Sequence, residues 1–158
     1  MLKISEQTEY SSEMLFSKNH IKSEKIMEKI RTNKFSEIFE GLGYIKNDGF
    51  VMDYKYFKYF ASNFTYEIIT KYIDSNIMDI LKTYNTFNIY INMQSLSITD
   101  VDKHREYICF MSKFFSERYP NRLHKCYVYN APFIFEKVFS MIHSFIDKET
   151  QTKINLVK

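Results

Sequence analysis

Three short runs rich in β-branched and aromatic residues, FNIYINM at 87–93, HKCYVYN at 124–130 and KINLV at 153–157, are separated by two stretches long enough for helices. No other feature constrains the fold as much. Antiparallel neighbours can be joined by a two-residue hairpin, whereas parallel neighbours need a crossover of a dozen residues or more, usually a helix. Such crossovers are almost always right-handed. The expected architecture is therefore α/β, a mainly parallel small sheet with helices packed on it.

The intervening stretches carry the helical signal. Val101, Arg105, Ile108, Met111 and Phe115 recur at helical steps toward Tyr119. Ser97 to Asp102 read as the start of that helix, with Thr99 as the cap and Asp100 and Asp102 complementing the positive helix end. A third long helix is expected from Pro132 to about Ile146. Upstream, Tyr66, Ile69, Ile73, Ile77, Ile80 and Tyr84 mark a helix from Thr65 to about Lys82.

From Ile21 the spacing of Ile26, Met27, Ile30, Ile38 and Phe39 predicts an N-terminal helix, ended by Gly41 and Gly43 in a left-handed turn. Asn47-Asp48-Gly49 then lies between two strand-like runs, the signature of a hairpin that adds an antiparallel edge. Residues 1–20, rich in Ser, Glu and Lys, read as a lightly anchored arm, and residues 21–158 as a single domain.

Composition bounds the function. The chain has 158 residues, 45% of them hydrophobic and 18% aromatic, enough to pack a core. Its 22 basic residues against 19 acidic ones leave a net charge of +3, too even a balance for a dedicated nucleic-acid binder. No window approaches the roughly 20 apolar residues of a membrane span. The start, MLKISEQTEYSSEMLF, lacks the apolar core of a signal peptide. The expectation is a cytoplasmic protein, peripheral at membranes or within a larger assembly. Cys109 and Cys126 have no metal-like spacing and read as buried free thiols.

At Asn130-Ala131-Pro132 the last long strand turns abruptly. Proline suits the first turn of a helix and pushes the preceding residue toward extended geometry. The corner stands at the carboxyl end of a strand, where open α/β sheets commonly bind ligands. Around it lie Tyr119-Pro120-Asn121-Arg122-Leu123, then Tyr127-Val128-Tyr129-Asn130-Ala131-Pro132-Phe133, then Phe145-Ile146-Asp147, Thr150 or Thr152, and Lys153-Ile154. In their order and spacing, from Phe87 to Val157, these residues resemble the core of the CRAL-TRIO domain, the fold of phosphatidylinositol, tocopherol and retinaldehyde carriers. The resemblance implies a non-enzymatic carrier of a phospholipid, a phosphoinositide or another hydrophobic ligand, or in divergent branches a protein-docking module. Asn121 stands where the family usually has an acidic residue, and Ser144 where it commonly has proline. The chain stops just past KINLV, whereas the family's gating helix and much of its headgroup site come later. A scaffold without its C-terminal gate is thus expected.

Two central strands have unlike faces. Phe87, Ile89, Ile91 and Met93 alternate with Asn88, Tyr90 and Asn92, and Cys126 and Val128 with Tyr127 and Tyr129. The apolar face is expected to be sealed by helices. The Tyr- and Asn-bearing face suits either a cavity for an apolar ligand or ordinary packing with hydroxyls at the rim. On the cavity reading Tyr90, Asn92, Tyr127 and Tyr129 are ligand contacts, with Phe133 at the corner. The helix after Pro132 has a wide apolar surface that includes Phe135 and Phe139, to be covered by a lipid, a protein partner or the N-terminal helix. Arg118, Arg122, His124 and Lys125 form a basic turn, either simply solvated or facing anionic headgroups or a partner.

Nothing points to catalysis. Asp100, Asp102, His104 and Glu106 alternate along a helix and diverge, so they make no metal site. His20 and His143 are isolated, and no serine or cysteine stands in a nucleophile motif. No cofactor is expected.

Overall fold

In a computed structural model the described residues are 3–5, 9–16 and 23–157. Six strands, β1 (Lys3–Ser5), β2 (Gly43–Lys46), β3 (Gly49–Asp53), β4 (Phe87–Asn92), β5 (Leu123–Tyr129) and β6 (Ile154–Val157), make one sheet. Their order is β1-β6-β5-β4-β3-β2, parallel throughout except for the β2–β3 hairpin. The helices are α1 (Ser12–Phe16), α2 (Ser23–Arg31), α3 (Phe35–Leu42), α4 (Tyr54–Phe60), α5 (Tyr66–Leu81), α6 (Ile98–Lys103), α7 (Arg105–Arg118), α8 (Phe135–Ile142) and α9 (Lys148–Thr152). A 3-10 turn, His143–Phe145, follows α8.

The chain steps from β3 to β4, β5 and β6 in one direction across the sheet. Crossovers of one hand taken in one direction place every connecting helix on the same face. The main core follows: Ile69, Ile73, Ile77 and Ile80 of α5, Tyr107 of α7 and Val138 of α8 pack with Phe50, Val128 and Ile154 from the sheet. Each such aliphatic side chain stabilises the fold by about 1.5–3 kcal/mol when fully buried. The opposite face belongs to a smaller cluster in which Tyr10, Leu15 and Phe16 cover Val51, Tyr90 and Tyr129.

The N-terminal expectations change in detail. Within the described part of residues 1–20 the arm is built into the fold: β1 pairs with β6, and Leu15 and Phe16 are buried. His20 lies outside the described residues. The helix expected from Ile21 is two helices, broken where Asn33 takes a positive φ of 59°. Gly41 and Gly43 do not end it in a left-handed turn, because neither has a positive φ. They admit aromatic rings instead: a Cβ on Gly41 would lie 2.1 Å from the Tyr56 ring, and one on Gly43 2.3 Å from Phe50.

Elsewhere the elements fall near their expected places. The hairpin turns on Asn47 (φ 55°), with Gly49 already in β3. Tyr54 to Phe60, for which the sequence predicted no helix, is α4, capped by Asp53 accepting from the Lys55 N–H at 3.0 Å. Ser97, not Thr99, caps α6, in a reciprocal box with Asp100. At the corner Asn130 adopts φ 54°, and α8 begins at Phe135, three residues after Pro132.

Candidate functional site

The apolar face of the sheet is hollow. A cavity of about 310 Å³ lies between that face and helices α5, α7 and α8, a size at the lower end of small-molecule sites. On its floor Met52, Ile89, Ile91 and Cys126 are half-buried although they stand on interior strands, while the alternate residues Tyr90 and Asn92 are buried. Ile108, Met111 and Phe115 of α7 form one wall, and Phe135, Val138 and Ile142 of α8 another. Ser112, Ser116 and Cys126 stand where larger side chains would close the gap. The exposed surface of Cys126 faces this apolar space, not bulk water, and burial pushes its thiol up to about 12.

The sequence reading placed the hollow on the other face. There the strand tyrosines are covered by the chain itself. Tyr10 lies edge-on to Tyr90 at 5.5 Å, Phe16 edge-on to Tyr129 at 5.3 Å, and Tyr127 stacks on Tyr90 at 5.3 Å. The Tyr129 hydroxyl donates to the Tyr10 carbonyl at 2.8 Å, and Tyr44 to the Leu15 carbonyl at 2.6 Å. Burial first, then the charge of Asp48, raises the Tyr90 hydroxyl well above the usual phenol range. Asn92 donates to Asp53 at 3.4 Å and accepts from Asn130 at 3.1 Å. Tyr90, Tyr127 and Tyr129 therefore come together, but as a filled layer outside the cavity, while Asn92 lines a separate polar pocket of about 270 Å³ with Asp53, Lys55, Gln94 and Ser95. The reason is local. Aromatic residues at 10 and 16 bury rings between the strand rings, and two tyrosine hydroxyls find backbone acceptors in the same segment.

The remaining expected residues separate. Phe133 is 92% exposed, whereas Phe135 and Phe139 are buried by the chain itself, so the helix surface expected to need an outside cover is largely closed. Arg118 Nε donates to Asp74 at 2.6 Å, and Arg122 Nε donates to the Asn85 carbonyl at 2.7 Å. Both arginines are thus engaged by other parts of the chain, while His124 is exposed and Lys125 half-buried. Asp100 serves the α6 cap and pairs with Lys58 at 3.3 Å, and Asp102 pairs with Arg105 at 3.7 Å. Among the described residues no group of three His, Cys, Asp or Glu could hold a metal, and no helix is long and apolar enough to cross a membrane.

The sequence reading missed the cavity wall. Its signal was small side chains at 112 and 116 on α7 and at 126 on β5, among otherwise bulky apolar residues.

Residues 57–158 match the family model described as the CRAL/TRIO domain. The chain belongs to this family. It is 33% identical over 67 residues to the Sec14 cytosolic factor of Schizosaccharomyces pombe (strain 972 / ATCC 24843), an alignment that takes in 42% of the chain and 23% of that relative. Its fold is similar to that in the crystal structure of Sfh5, with a TM-score of 0.66 at 16% identity, covering 75% of this chain and 48% of that one. The chain thus spans about a quarter of the Sec14 relative and about half of Sfh5. CRAL/TRIO membership supports a lipid-binding fold.

Proposed function

We propose that the chain binds a lipid or comparable hydrophobic ligand, without chemistry, in the cavity between β3–β5 and helices α7 and α8. One observation carries the reading: Met52, Ile89, Ile91 and Cys126, on interior strands, face an almost wholly apolar void where a packed core would have closed over them. Interiors are normally packed as densely as organic crystals, so a space of this size lined by aliphatic and aromatic groups favours an apolar occupant. Each methylene transferred from water into it contributes about 0.8 kcal/mol. Family membership supports the same reading, and a cytoplasmic protein that meets membranes peripherally fits it. The ligand contacts are then the cavity floor and walls, not Tyr90, Asn92, Tyr127 and Tyr129.

The test is direct. The purified chain, stripped of bound lipid, is titrated with a fluorescent fatty-acyl probe, and the protein as isolated is weighed by native mass spectrometry. Saturable uptake of one probe per chain, reversed by unlabelled long-chain lipid, is expected. A chain that is empty as isolated and takes up no probe rejects the proposal.

A further inference from the structure

His104 is the joint between α6 and α7. Its N–H donates to the Asp100 carbonyl at 3.0 Å, ending α6, and its carbonyl accepts from the Ile108 N–H at 2.9 Å, starting α7. The residue is 1% exposed. Its ring lies edge-on to Phe57 of α4 at 5.0 Å and to Tyr66 of α5 at 5.9 Å. Tyr107 of α7 stacks on those same two rings, at 5.8 Å and 4.1 Å. Nδ1 lies 2.6 Å from the Tyr66 hydroxyl, whereas Nε2 is buried without a hydrogen-bond partner. Phe57, against this ring, and Ile108, one turn beyond it, both line the cavity. The imidazole thus ties α4, α5 and α7 together beside the hollow.

Only the neutral ring suits this place. An imidazolium carries an N–H on both nitrogens, so protonation would bury a charge among aromatic rings with its Nε2–H unmatched. The groups around it do not offset that cost. On α6, Lys103 opposes the cation and Asp100 favours it. Asp100, however, is already engaged by Lys58 of α4 at 3.3 Å, by the Ser97 N–H at 2.9 Å, and by Tyr54 of α4. Tyr66 of α5 and Tyr107 of α7 are phenols that burial pushes up, so both stay neutral. Glu67, Asp102, Arg105 and Glu106 are exposed. Burial first, then Lys103, holds the imidazole below the usual histidine range.

We infer that His104 is an acid-released latch: neutral, it clamps α7 to α4 and α5, and protonated, it frees the α6–α7 joint and opens the cavity. The latch stands on its own geometry; that its release unloads a ligand rests on the lipid-binding reading. A histidine that resists protonation in the native state contributes stability that is present above its unfolded value of about 6.5 and is lost as pH falls. Each pH unit below that value multiplies opening of the joint by about ten.

Two readouts separate the steps in wild type, His104→Gln and His104→Leu. Amide exchange in α7, corrected for the intrinsic effect of pH, follows opening, and the release rate of diphenylhexatriene, a pure hydrocarbon probe, follows unloading. From pH 7.5 to 5.5, wild-type protection at residues 108–111 should fall about tenfold, and probe release should quicken by a similar factor. Both variants should show neither change, whatever their basal stability. The imidazole resonance that they lack should still report a neutral ring at pH 6 in wild type, a measurement that decides the matter even if neither variant folds. Protection that ignores pH, a pH response equal in the variants, or a His104 ring that titrates at an ordinary histidine value overturns the latch. A latch response in protection without any probe binding overturns the lipid-binding reading alone.

Discussion

The two faces of the sheet are built from alternate residues of the same strands, yet one is solid and the other hollow. Among the described residues, the segment 9–16 covers Val51, Tyr90 and Tyr129 on the tyrosine face, whereas α5, α7 and α8 together leave space on the aliphatic face. Length of cover is therefore not what closes a surface. Rings that interlock do so, with hydroxyls finding backbone carbonyls 2.6–2.8 Å away. Helix α7, with serine at 112 and 116, and helix α8 span the other face without filling it.

The sharpest way to break this contrast is a matched pair of truncations. Leu15→Ala, at a fully buried site of the filled face, should cost about 3 kcal/mol in urea unfolding, in line with cavity-forming substitutions. Ile91→Ala, beside a space that already exists, should cost less than about 1.5 kcal/mol. Equal losses would mean that the hollow closes in solution. Next in size, Cys126→Phe should fill the floor of the cavity and weaken hydrocarbon-probe binding at least tenfold, about 1.4 kcal/mol, while urea stability changes little. Undiminished binding would place the ligand elsewhere. The smallest effect concerns the filled face. Tyr129→Phe, which deletes the hydrogen bond to the Tyr10 carbonyl, should lower stability by about 1 kcal/mol and leave probe binding unchanged.

How far the fold could be read from sequence differs from element to element. Period-two and helical patterns marked β4, β5, β6, α5 and α7, the strands because their two faces carry unlike side chains and the helices because each has an apolar stripe toward the sheet. The aromatic-rich stretch YKYFKYF gave no such contrast: Tyr54, Tyr56, Phe57 and Phe60 are all buried, so its helical state depends on what surrounds it. The breaks at Asn33 and His104 were invisible for a similar reason, since neither residue obliges a helix to end. At the candidate site the alternation of Ile89 and Ile91 with Tyr90 and Asn92 correctly separated two faces. It carried no information on which face would be filled, because residues 9–16 and helices α7 and α8 are distant in sequence from the strands they cover.

Local pattern alone determined the alternation of β4, α7, β5, α8 and β6, the parallel core and the corner at Asn130, because periodicity and proline act within a few residues. The side on which the void lies was decided only in three dimensions. A cavity is a shortfall of volume summed over several elements, and no one of them records it.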